Sequence, residues 1–241
     1  MSLGIECKKL KRTGYVPLFL MGGLLAAAVP IIMMTLRAEI YTGQPGNPLH
    51  ILLDANWQMM AMLNVLLAVC GACLMYHTEY ADNASQRMDM LPVRQGSLFL
   101  GKFLVAVLAS SGAMMLESIS VAICLIHWFP EFDFSLMALI NNMGFEMALM
   151  LPTIMLMLLI ASACKNMWVS LGIGVILVFT FSILPSDHRI LTLCPFATPY
   201  QLLHTAQKNG RVSVFLLTSG IETLGFGAGE LMYQKVRRCF V

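Results

Sequence analysis

Residues 15–36 read YVPLFLMGGLLAAAVPIIMMTL, without one charged side chain. A helix needs about 20 mostly apolar residues to cross the hydrocarbon of a bilayer. No water is present there to bond the peptide groups, so a spanning segment satisfies its own N–H and C=O groups as a helix. Five further runs are long and mostly apolar, some less cleanly, over about residues 57–76, 103–128, 136–163, 168–184 and 212–233. Of the 241 residues 58% are hydrophobic and 12% charged, whereas a soluble domain carries about 25% charged residues. That leaves too little polar surface for a water-facing exterior. The expected class is an all-α polytopic membrane protein with six transmembrane helices in one domain, residues 1–241.

Lys and Arg set the expected orientation. Lys8, Lys9, Lys11, Arg12, Arg87, Arg94, Lys102, Lys165, Lys235, Arg237 and Arg238 fall on one side of such a six-span arrangement. Only Arg37, Arg189, Lys208 and Arg211 fall on the other. The positive-inside rule then puts both termini in the cytoplasm, and an even number of spans requires both ends on one side. The apolar run after the basic N-terminus is too long for a signal peptide and lacks a small-residue cleavage site, so it is expected to be the first span. A net charge of +2 gives no reason to expect a nucleic-acid partner.

Common catalytic signatures fail to appear. There is no G-x-x-x-x-G-K-[ST], H-E-x-x-H or G-x-S-x-G, and the connections are too short to fold a soluble domain. The CGAC at 70–73 lies inside LLAVCGACLMY. It reads as small residues packing in a membrane helix, not as a metal or redox site, and no metal ligands are expected. Gly225 and Gly229 of GFGAG are likewise spaced for helix packing. The 20 methionines read as ordinary lipid-facing hydrophobes.

Three carboxylates fall within expected spans: Glu117, Glu146 and Glu222. Ionisable groups are costly there and usually face protein or water. Two roles fit. They line an outward-facing cavity that attracts a cationic substrate, or they pair with hydroxyls or amides such as Ser118, Asn141 and Thr218 and hold helices together.

Two polar segments are patterned as helices. Residues 79–102, EYADNASQRMDMLPVRQGSLFLGK, hold Glu79, Asp82, Arg87, Asp89, Arg94 and Lys102 between long apolar runs. Tyr80, Ala84, Met88 and Leu91 share one helical face, Asp82 and Asp89 lie on others, and Pro92 is a stop signal. A short amphipathic helix is expected over about 80–91. Near the N-terminus, Leu3, Cys7 and Leu10 share one face, and Lys8, Lys11 and Arg12 share another. An interfacial helix is expected over 3–13, with its cations near lipid headgroups.

Taken together, these features resemble the membrane subunits of ABC-2 type exporters. The resemblance rests on the amphipathic ECKKLKRTG before the first span, the island with Glu79, Leu91-Pro92 and Lys102, the six spans, and the outer CPFATPYQLL before the last span. In that family a glutamate ends the second helix, a short helix and a leucine-proline step follow, and a lysine opens the third helix. Among its members the chain looks most like the short permeases of bacterial lantibiotic self-protection and cationic antimicrobial peptide resistance.

The resemblance implies an ABC-2 permease fold of the type V exporter kind in a bacterial plasma membrane. It implies a transport subunit and not an enzyme, with no cofactor of its own and with ATP and Mg held by a separate ABC ATPase dimer. A second permease, identical or related, would pack beside it. The coupling helix would dock on the ATPase through Glu79, Tyr80, Asp82, Asn83, Ala84, Arg87, Met88, Leu91, Pro92 and Lys102. Residues 185–211 would carry short re-entrant or interfacial helices at the outer gate. The cargo would be a lantibiotic or other cationic peptide returned to the medium, which the outer acidic residues Glu131 and Asp133 would favour. Permeases for another drug or lipid share the same architecture. A proton-driven secondary transporter using Glu117, Glu146 and Glu222 is a further alternative; no internal repeat supports it, and Pro152 is its one sign of a broken helix. An intramembrane enzyme would need a paired nucleophile and base, which the spans lack.

Overall fold

The computed structural model describes residues 9–10, 13–80, 95–130, 132, 135–164, 166–183 and 191–239. In chain order these form α1 (Tyr15–Thr42), α2 (Pro48–Tyr80), α3 (Gln95–Trp128), α4 (Leu136–Ala163) and α5 (Met167–Ile183). Two 3-10 turns follow, Leu191–Leu193 and Thr198–Tyr200, then α6 (Leu203–Lys208) and α7 (Val212–Cys239). Five of these helices, α1 to α4 and α7, are long and apolar enough to cross a membrane. Helix α5 is as apolar but has 17 residues. At 1.5 Å per residue it reaches about 25 Å, short of the ~30 Å hydrocarbon core.

The helices run past the apolar windows that mark them. The connection expected at 37–56 shrinks to residues 43–47, because α1 continues to Thr42 and α2 starts at Pro48. Arg37 leaves helical geometry (φ −138°, ψ 33°), so α1 bends where its charge-free run ends and then continues. At the start of α2, Asn47 Oδ1 accepts the Leu49 N–H (3.0 Å). Proline at the first helical position has no N–H to leave unpaired. Polar capping starts that helix well before hydrophobicity does. Likewise α3 begins at Gln95 instead of 103, and α7 runs on to Cys239 instead of ending near 233.

Helix α2 is the hub, packed against α1, α3, α4 and α5. Its buried residues extend along its whole length, from Leu49, Leu52 and Trp57 through Val65, Ala68 and Val69 to Tyr76. Small residues let the neighbours close in. A Cβ on Gly22 would lie 2.3 Å from Leu67, and one on Gly23 3.0 Å from the Ala113 backbone. Gly71 sits beneath the Phe19 ring and Gly174 against Val69. Gly71 belongs to the CGAC segment, whose Cys73 lies 3.3 Å from the Ser170 hydroxyl of α5. Of the glycine pair expected to pack in α7, Gly225 meets nothing within 4 Å, whereas a Cβ on Gly229 would lie 3.8 Å from Leu159 of α4; Gly227 between them comes closer still, to Met155 of the same helix.

Hydroxyls tie the helices through backbone carbonyls. Pro152 in α4 has no N–H to give the carbonyl of Ala148, four residues back; the Ser219 hydroxyl of α7 donates to that carbonyl instead. Ser120 of α3 donates to the Ala27 carbonyl of α1. The methionines divide between two environments. Met60, Met75, Met114, Met150 and Met157 are core residues, correcting the expectation that they face lipid, whereas Met21, Met115, Met137 and Met232 are exposed. Flexible thioethers fill the irregular gaps between crossing helices.

Replacing Gly23 with Ile should lower stability by about 1–3 kcal/mol through overpacking against α3, read as a drop in Tm of the purified protein. Gly112→Ala, where an added Cβ meets nothing within 4 Å, should be neutral or slightly stabilising.

Candidate functional site

Three polar clusters occupy different levels of the bundle. The first sits where α2 ends and α3 begins. Glu79 lies in the last turn of α2, and Lys102 lies two turns inside α3 instead of opening it. Lys102 Nζ is 2.6 Å from Glu79 Oε1, with the lysine side chain 3% exposed. A buried ammonium at this depth requires such a counter-charge. It also lies over the Tyr76 ring, 5.3 Å from its centroid. The same Glu79 oxygen accepts from Lys9 Nζ at 3.2 Å. One carboxylate thus joins the segment before α1, the end of α2 and the first turns of α3.

A second strand of contacts leaves the same level. The Tyr80 hydroxyl donates to the Ser162 carbonyl in α4. Ser162 Oγ donates to Glu230 Oε2 in α7 (2.7 Å), and Gln234 Nε2 donates to the other Glu230 oxygen (2.9 Å). Glu230 is 1% exposed, yet it did not figure among the sequence candidates because the polar end of α7 hides its depth. Of the expected coupling residues, Glu79, Tyr80 and Lys102 are brought together here. Asp82, Asn83, Ala84, Arg87, Met88, Leu91 and Pro92 lie outside the described residues, as do Lys8, Lys11, Arg12, Glu131 and Asp133.

The second cluster lies at mid-depth. Asn64, halfway along α2, donates one amide hydrogen to Glu117 Oε2 of α3 (2.9 Å) and the other to Glu146 Oε1 of α4 (3.1 Å). The three side chains are 3%, 2% and 5% exposed, so neither glutamate borders open space in this conformation. Their partner is Asn64, not Ser118, Asn141 or Thr218; the Thr218 hydroxyl bonds carbonyls of its own helix. A lone Asn inside MMAMLNVLLAV was the available signal. Glu222 stands apart from this pair. It is half-buried on α7, and its Oε2 has no hydrogen-bond partner among the described residues. Burial and the nearby Glu222 carboxylate push the Cys194 thiol pKa up.

The third cluster closes the opposite end. The His50 and His204 rings stack at 4.3 Å, and His204 Nε2 lies 3.1 Å from Asp54 Oδ1. This fastens α6 to the first turns of α2. Thr153 donates to the Pro195 carbonyl, and Thr198 donates to the Leu149 carbonyl (3.3 Å), so the segment before α6 is pinned to α4. Burial raises the Tyr200 pKa to about 12, which keeps that phenol neutral across the physiological range.

Lys102→Met should cost about 2 kcal/mol, the scale of a charge-assisted hydrogen bond. Lys9→Met, on a side chain 25% exposed, should cost below about 1 kcal/mol. Asn64→Leu should destabilise by about 1–3 kcal/mol for each carboxylate oxygen it orphans. Thermal unfolding of the three variants checks that ranking.

Residues 2–181 match the family model described as ABC-2 family transporter protein, a match that ends inside α5. No curated protein and no solved structure matches the chain.

Proposed function

Given that this chain belongs to the ABC-2 transporter family and is a multi-pass membrane protein, we propose that it is the permease subunit of an ATP-driven exporter. Its energy comes from a separate ABC ATPase dimer, which holds ATP and Mg. A second permease, a copy or a relative, completes the pathway. Both termini lie in the cytoplasm, α5 makes the sixth crossing, and the membrane is a bacterial plasma membrane. The cargo is a cationic peptide of the lantibiotic type, removed from the membrane for self-protection.

The observation that carries this reading is the Glu79–Lys102 ion pair, 2.6 Å across the ends of α2 and α3. Residues 81–94 join those two ends in sequence. A segment docked on an ATPase there pulls on two clamped helices with no slack between them. Tyr80 and Glu230 pass that displacement to α4 and α7 through Ser162. Residues 80–91 are the docking element. The cationic cargo rests on the acidic outer residues Glu131 and Asp133 and on half-buried Glu222, since exposed charges act within about 8 Å in physiological salt.

Co-purification with the cognate ATPase tests the core of the proposal. Asp82→Arg combined with Met88→Asp should leave membrane insertion normal and abolish association in a pull-down. Intact association would take residues 80–91 out of the docking role. Transport by the chain alone, in vesicles with a proton gradient and no ATP, would overturn the exporter reading.

A further inference from the structure

The mid-depth cluster carries an electrostatic imbalance. An amide NH2 has two hydrogens, and Asn64 gives one to each glutamate, at 2.9 Å and 3.1 Å. Its donors are then spent. Glu117 Oε1 remains buried with no hydrogen-bond partner among the described residues. Nor does any Lys, Arg or His among them form an ion pair with Glu117 or Glu146. The ion pairs there run from Lys9 and Lys102 to Glu79 and from His204 to Asp54.

The surrounding helices supply no cation at this level. Residues 15–36 of α1 and all of α5 hold no charged residue, and Glu146 is the one charged residue of α4. Residues 55–76 of α2 hold none, and α7 offers only Glu222 and Glu230 over residues 212–233. On α3, Lys102 lies four turns from Glu117 and is engaged with Glu79, while His127 lies near the other end, packed on Trp128.

Two bare carboxylates on one neutral amide, inside helices that lipid surrounds, repel each other. Each also forfeits its hydration. A single positive charge removes both penalties. We propose that Asn64, Glu117 and Glu146 form a binding site for one small positive charge, a proton or an alkali cation. The site is sealed at 2% and 5% exposure of its two acids, which excludes a peptide ammonium and its stem in this conformation. A proton on Glu117 Oε1 converts the orphan acceptor into a donor. An alkali cation instead takes that oxygen as a ligand. Either way the bound charge cements α2, α3 and α4 at mid-depth, and its loss loosens the three-helix junction. The site belongs to the chain by itself, whatever cargo or ATPase it serves.

The test uses the purified full chain in lipid nanodiscs. Infrared spectra at neutral pH report the C=O stretch of a protonated carboxyl, and thermal unfolding is compared in choline, lithium, sodium and potassium chloride. Bound proton predicts a carboxyl band that survives in every salt, persists in Glu222→Gln and disappears in Glu117→Gln/Glu146→Gln. Bound alkali cation predicts no such band and a Tm higher by about 4 °C or more in one alkali salt than in choline, a difference lost in the double variant. Each single variant, with one negative charge fewer, should lose the cation dependence or weaken the band, so the outcome does not hang on the double variant folding. Absence of both signals in the wild-type chain would overturn the proposal.

Discussion

A polar group inside a bilayer has no water to return to, and that constraint organises this protein. Among the described residues, several buried polar side chains join helices. Ser120 reaches the Ala27 carbonyl, Ser219 the carbonyl that Pro152 leaves free, and Ser162 the Glu230 carboxylate. Apolar contact alone cannot supply this, because lipid tails are as apolar as leucine and reward no particular helix pairing. Close packing through Gly22, Gly23, Gly71 and Gly174 brings the helices near enough. The polar contacts then select register and partner.

Helix α2 gathers these constraints on one rod. Its first turns hold α6 through His50, Asp54 and His204. Its middle holds α3 and α4 through Asn64, and its last turns hold the pre-α1 segment, α3 and α4 through Glu79 and Tyr80. A helix tied at three levels moves as a unit.

The six apolar runs were legible because hydropathy depends on composition over a window, and each run coincides with a helix. Helix ends were less legible. Asn47 and Pro48 start α2 by capping and fixed φ, which no hydropathy window registers. Glu117, Glu146, Glu79 and Lys102 announced themselves as charges in or beside apolar runs. Their partners did not, because Asn64 is far from both glutamates in sequence and Lys9 is far from Glu79. Glu230 shows the converse: the polar end of α7 reads as surface, yet its packing against α4 buries that carboxylate beneath Ser162.

The sequence by itself determined that the chain is a helical membrane protein and which residues are costly to bury, since both follow from transfer free energies that act on each segment separately. Only the tertiary structure decided what those residues bind. It gave Glu117 and Glu146 a shared amide, gave Glu79 two cations, and sealed the mid-depth acids away from open space. The physical reason is that a hydrogen bond between helices depends on their crossing and rotation, which packing sets for all of them together.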